Sequence, residues 1–207
     1  MIDTHCHLLP GLDDGPRSHE ESVALARALV ADGVTRVLCT PHYSGMFPTV
    51  HSDAETRHRE LRALLDAQDV ALETSLAAEV GPAAAAAKPV SEVRARSIFG
   101  HPEQSRALHR HPTLFDGLRA EGALVQVVAP SLLGRWGPEV EAASWRLVDT
   151  GRVDLLASDA HGARRRRPHL GEVAALVASR LGDAVAEELT VRKPQLVLDG
   201  ALDTMSS

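Results

Sequence analysis

The chain has 207 residues, 44% of them hydrophobic, a net charge of −6 and 3% aromatic residues. That length and apolar content suit a single globular domain over 1–207, and an acidic surface poor in stacking rings excludes a nucleic-acid-binding protein. No apolar run approaches the roughly 20 residues that span a bilayer and the N-terminus is not leader-like, so we expect a cytoplasmic protein without membrane insertion whose two cysteines, Cys6 and Cys39, are reduced thiols.

Ile2 to about His7 reads as a first strand, followed by the turn-rich stretch PGLDDG. Ser18 is placed to cap the next helix, Glu21 completes a capping box, and Gly33 stops the helix. VTRVLCT, Val34 to Thr40, is β-branched and apolar like a strand covered on both faces, and it ends in the loop PHYSG. Ser52 and Glu55 predict a second capping box, for a helix reaching Asp66 or Gln68, and Val70 to Leu76 predicts a third strand with Glu79 just past its end. PAAAAAKP, 82–89, reads as a short surface helix or spacer. RSIFG then leads into HPEQ, and a helix is predicted from about Ser105 to Ala120. ALVQVV is a strand, Pro138 opens a helix ending near Gly151, VDLLAS is the last clear strand, and the loop DAHGARRRRPHL precedes a helix over Gly171 to Leu181. This repeated strand, loop and helix order signals an α/β fold with a parallel sheet, and the lack of a G-x-G-x-x-G turn removes a dinucleotide site.

Eleven histidines in a chain with one tyrosine and two tryptophans are the compositional anomaly. Histidine is the commonest metal ligand, and here potential ligands fall at the C-terminal ends of successive strands: His5 and His7, Asp14, His42, Glu79, His101, and Asp159 with His161. In a barrel-like parallel fold that rim is where functional loops converge. Alternate residues of a strand point the same way, so H-x-H can hold one ion. Mixed carboxylate and imidazole donors suit Mn, Fe or Zn, and a bridging carboxylate such as Glu79 can join two ions, the arrangement that hydrolyses phosphoesters. Singly, each motif has a plainer reading: H-x-H as surface histidines, SDAH as a cap, DDG as a turn, HPE as a loop. Their recurrence at one strand end after another carries the metal reading. His19, His51, His58, His109 and His111 fall on predicted helices or their entries and are read as solvated positions. His169 follows the run Arg164 to Arg167, itself either a solvated basic loop or a trap for phosphate or acidic peptide. Asp3 and Asp13 are read as turn residues or supports behind the ligands.

MIDTHCHLLPGLDDGP, TPHYSG, AAEVGP, FGHPEQ, GRVDLLASDAHG and RRPHL, in this order over nearly the whole chain, resemble the polymerase-and-histidinol-phosphatase (PHP) family. They are most similar to its bacterial protein-tyrosine phosphatase branch of capsule and exopolysaccharide systems, the CpsB or YwqE type. The resemblance implies a distorted (β/α)7 barrel holding two or three metal ions, usually manganese. It also implies a partner, the phosphotyrosine tail of a cognate tyrosine autokinase. By motif, His5, His7, Glu79 and Asp159 would bind one ion, Glu79 would bridge to a second held by His101, and Asp14, His42 and His161 would bind the third. Arg166 would meet the phosphate, with Arg167 and Gln104 beside it. A hydroxide bridging the metals would attack phosphorus in line, and His42 or His161 could deliver a proton to the leaving group.

Two departures from the family pattern stand out. Glu79 and His101 are too close in sequence for the family's intervening strand, so the barrel is expected to be shortened by one βα unit and to lack a glutamate ligand of the second metal; Glu92 and Glu103 are candidates without supporting spacing. The family's HPER is HPEQ, so Gln104 gives up the charge-assisted bond of an arginine to phosphate. Two rival readings follow: a weakened or inactive metal-binding protein that engages the kinase tail, and a phosphatase of small phosphomonoesters such as histidinol phosphate.

Overall fold

The computed structural model describes residues 1–80, 97–98, 102–104, 117, 119–120 and 123–199. The first helix, α1 (His19–Ala31), starts where expected: the Ser18 hydroxyl accepts from the Glu21 amide at 3.3 Å. The reciprocal bond lands one residue early, because the Glu21 carboxylate accepts from the Arg17 amide at 2.7 Å rather than from Ser18. Val23, Leu25, Ala26 and Leu29 form its buried face, and α1 packs on α2 (His51–Ala67).

Ser52 does not cap α2. The helix begins before it, because the Val50 carbonyl already accepts from the Asp53 and Ala54 amides, and Ser52 lies within the first turn, its own carbonyl bonded by the Thr56 hydroxyl. The third strand also starts later than predicted, at Glu73. Asp69 adopts a left-handed φ of 51°, the Val70 amide returns to Leu65 O, and Leu72 N–H bonds Val70 O, so the chain is closing the helix where strand was expected.

The described residues of Asp3–Gly100 and Ser158–His169 form one compact unit. It carries a sheet in the order β1 (Ile2–Cys6), β2 (Arg36–Cys39), β4 (Glu73–Leu76), and a second in the order β3 (His42–Tyr43), β5 (Ala78–Val80), β6 (Ser97–Ile98). β2 and β4 are parallel, as are β3 and β5, and β5 and β6, as the strand and helix alternation requires. Leu8, Leu9, Leu25, Leu29, Leu61 and Leu65 are fully buried in this unit.

Met1–Ile2 with the described residues of His101–Ala157 and Leu170–Ser207 form the other unit. There β7 (Gln126–Val128) and β8 (Leu155–Ala157) pair in parallel. A short α3 (Ala129–Leu132) follows β7, then α4 (Pro138–Asp149) and α5 (Leu170–Leu181) match the predicted helices. Unpredicted helices follow, α6 (Asp183–Glu187), a π-helical turn at Glu188–Arg192, and α7 (Lys193–Leu198). Of the helix predicted over Ser105 to Ala120, Gly117, Arg119 and Ala120 are helical and the rest lies outside the described residues, as do 82–89, Glu92, His101, His109 and His111. Among the described residues no helix is long and apolar enough to cross a membrane.

Candidate metal centre

The site is assembled by strand ends in the unit of Asp3–Gly100 and Ser158–His169. The chain after β8 pairs with the end of β1 through a parallel bridge between Cys6 and Ala160: the Asp159 amide donates to His5 O and the His7 amide to Ala160 O. That pairing sets Asp159 and His161 beside His5 and His7, whose alternation along the strand turns both imidazoles to one side, their Nε2 atoms 3.2 Å apart. Next to them, the parallel register of β3 and β5 makes His42 and Glu79 direct partners.

Glu79 Oε2 lies 3.3 Å from His5 Nε2, 3.3 Å from His7 Nε2 and 2.9 Å from His42 Nδ1. Asp159 Oδ1 stands 3.8 Å from His5 and 3.6 Å from both His7 and His161. On the outer side, Asp14 Oδ1 lies 3.4 Å from His42 and 3.2 Å from His161. Two groups of potential ligand atoms, His5, His7 and Glu79, and His7, Asp14, His42 and His161, each converge to within 4.8 Å. The structure therefore gathers seven of the eight predicted ligands; His101 is the one outside the described residues.

Second partners prepare these rings. His7 Nδ1 lies 2.7 Å from Asp13 Oδ2, and a carboxylate only accepts, so the ring proton sits on Nδ1 and Nε2 faces the cluster. Asp13 also accepts the Gly15 and His42 amides, and a Cβ on Gly15 would come within 2.6 Å of the His7 carbonyl oxygen, so glycine is required there. His161 Nδ1 likewise donates to the Asp159 carbonyl at 3.0 Å, turning Nε2 toward Asp14. Behind the centre, Asp3 accepts the His5 and Ser158 amides.

Electrostatics follow this geometry. Burial works against a charged His7, but hydrogen bonds to Asp13 and Glu79 outweigh it and raise the imidazole to about 9. Burial likewise opposes ionisation of Asp13, yet the bond with His7 and the two amides hold it down at about 2. Glu79 is held well below the usual carboxylate range by His42, His5 and His7, against its burial. Burial and the charge on His7 drive His161 down to about 4, despite Asp159. Burial pushes Asp3 up to about 6, against its bonds to Ser158 and His5.

Arg166 joins the site, its guanidinium 3.0 Å from both Asp14 Oδ2 and Asp159 Oδ2. Asp159 and Arg166 each adopt a φ of 51°, a left-handed conformation that non-glycine residues take at some cost, and the loop between them is closed by the His161 amide donating to Arg166 O. Arg167 is exposed and donates to His169, and Gln104, in the other unit, donates to the Ser131 hydroxyl at 3.3 Å. Glu103 is buried there, accepting from Ser131 Oγ at 2.8 Å. His19, His51 and His58 lie on α1 and α2, paired with Glu60, Glu55 and Thr74. Sequence reasoning missed Phe47, which stacks on His42; the concentration of scarce aromatic residues just after His42 could have found it.

Imidazole nitrogens and carboxylate oxygens drawn this close, most of them buried and with the ring protons of His7 and His161 directed away, fit a divalent cation of borderline hardness. The family description "Capsular polysaccharide synthesis, CpsB/CapC" matches residues 1–96 and 54–199 of the sequence. The chain is 25% identical over 225 positions to the tyrosine-protein phosphatase YwqE of Bacillus subtilis, covering 92% of this chain and 89% of the relative. It is 22% identical over 238 positions to the tyrosine-protein phosphatase CpsB of Streptococcus pneumoniae, covering 96% and 98%. A chain from the crystal structures of YwqE from B. subtilis and CpsB from S. pneumoniae, described as unique metal-dependent tyrosine phosphatases, superposes with a TM-score of 0.84 at 25% identity, over 96% of this chain and 94% of that one. With the family description spanning nearly the whole sequence, the chain belongs to the CpsB/CapC family of capsular polysaccharide synthesis.

Proposed function

We infer that this chain is a metal-dependent tyrosine-protein phosphatase of capsule or exopolysaccharide synthesis, one domain over 1–207 with the distorted PHP barrel. The observation that carries this reading is the convergence of His5, His7, Asp14, His42, Glu79, Asp159 and His161 in a chain whose relatives are named tyrosine-protein phosphatases. His5, His7, Glu79 and Asp159 would hold one cation and Asp14, His42 and His161 another, and by motif His101 is assigned to a further ion; manganese is the metal we assign, with iron and zinc the other ions suited to these donors. When bound, such ions activate water and offset charge on a transferring phosphoryl group.

The chain's own residues do the rest. Arg166, pinned by Asp14 and Asp159, presents its guanidinium at the cluster, where it meets the phosphate, and the exposed Arg167 next to it is the second phosphate contact we assign. A phenol, with a pKa near 10, leaves readily as phenolate, so no proton from a strong acid is needed, and His42 and His161 can serve as ligands of the cation. The partner is the phosphotyrosine tail of a cognate tyrosine autokinase, met in the cytoplasm. The missing βα unit is supported by the alignment with YwqE, which runs over 225 positions, more than the 207 residues of this chain, so that relative carries residues this chain lacks.

The test is phosphate release. Purified protein supplied with manganese is expected to hydrolyse phosphotyrosine peptides with a higher kcat/KM than histidinol phosphate, and His5→Ala to abolish turnover. No release from either substrate sinks the reading.

A further inference from the structure

Phe47 lies almost flat on His42, ring centroids 5.2 Å apart and planes inclined by 8°. Through His42 the phenyl ring is one imidazole away from Glu79. The loop carrying it is tied down at several points. The Ser44 amide donates to Phe47 O, the Phe47 amide to Ser44 Oγ, Tyr43 and Pro48 form an antiparallel bridge, and the Thr49 hydroxyl donates to Leu12 O beside Asp13 and Asp14. Phe47 is half-buried, and the neighbouring Met46 is 82% exposed. In a chain with one tyrosine and three phenylalanines, Tyr43 and Phe47 thus share a single loop at the cluster.

We propose that Met46 and Phe47 form the wall that receives the ring of an aryl phosphomonoester, making this loop the element that selects aryl over alkyl phosphate esters; this rests on the phosphatase reading above. An aryl ester carries its ring directly on the bridging oxygen, so a phosphate held at the cluster puts that ring within stacking range, about 4.5–7 Å between centroids, of an aromatic side chain on the rim. The Met46 thioether is flexible enough to close on the ring's edge. An alkyl ester offers neither contact.

The test compares kcat/KM of the manganese-supplied protein on a phosphotyrosine peptide and on a phosphoserine peptide of otherwise identical sequence, and binding of phenylphosphonate against methylphosphonate by calorimetry. Because each variant is compared with wild type as a ratio of the two substrates, intrinsic leaving-group differences cancel. Phe47→Leu is expected to lower the tyrosine-to-serine ratio about three- to tenfold, the scale of one aromatic contact, and to weaken phenylphosphonate without weakening methylphosphonate. Phe47→Tyr is expected to retain the ratio, and Met46→Ala, at an exposed position that folding does not need, to lower it about twofold. Parallel loss on both substrates overturns the proposal and leaves Phe47 as a support for His42 alone. If wild type hydrolyses neither peptide, the phosphatase reading falls and this inference with it; if wild type is active and the variants keep its ratio, only this inference falls.

Discussion

The contact between His7 and Asp13 sets the condition under which a cation could enter the centre. The hydrogen bonds to Asp13 and Glu79 push the His7 imidazole up to about 9, above the ordinary histidine value of 6.5 and against its burial. Its contribution to folding stability is therefore fully present below pH 6.5 and lost as pH rises through about 9. Cation binding has the opposite dependence, because the ring must shed that proton from Nε2 before it can bind a metal. Manganese affinity is expected to rise by up to about tenfold per pH unit between pH 7 and 9, with a proton released that calorimetry in buffers of different ionisation enthalpy detects. Asp13→Asn removes the charge that raises His7, so the same titration should become shallower while affinity at pH 9 falls about 10–100-fold. An unchanged slope in that variant would mean that Asp13 does not control His7.

Among the elements, those whose logic is local were legible in the sequence. Ser18 caps α1 because a hydroxyl at the first non-helical residue reaches an amide three residues on; Ser18→Ala should cost about 1 kcal/mol, read as a lower midpoint in urea unfolding. H-x-H was legible because strand period two turns both rings to one side, as their 3.2 Å approach bears out. Ser52 and Glu55 have the same spacing as a capping box yet do not start the helix, since the Val50 carbonyl already accepts from Asp53 and Ala54 and leaves Ser52 inside the first turn. The pairing of His42 with Glu79 was out of reach because it depends on the register of two parallel strands separated by all of α2. So was the stacking of Phe47, which needs the return of the loop at Thr49 to Leu12.

For the whole molecule, the ligands are carboxylates and imidazoles crowded together inside the unit they close, so cations bound there must also stabilise the fold. At 100 times its dissociation constant one ion adds about 2.7 kcal/mol, which in a chain of this size raises Tm by roughly 5–10 °C. Thermal unfolding with manganese and with a chelator should differ by at least that much, and His7→Ala should erase the difference; equal midpoints in wild type would rule out a tightly held ion. The α/β class was legible from alternation alone, and the superposition on the YwqE and CpsB structures agrees with it, whereas the C-terminal helices beyond Leu181 had no amphipathic pattern long enough to read. The bridge between Cys6 and Ala160 has a consequence for the order of assembly. A ribosome has already released His5, His7, Asp14, His42 and Glu79 long before it makes Asp159, His161 and Arg166, so the nascent chain carries half a centre whose remaining wall is still unmade. Only when Ala160 zips onto Cys6 does the loop of chain between them close, so a cation that needs Asp159 and His161 can be held only after most of the chain has been made.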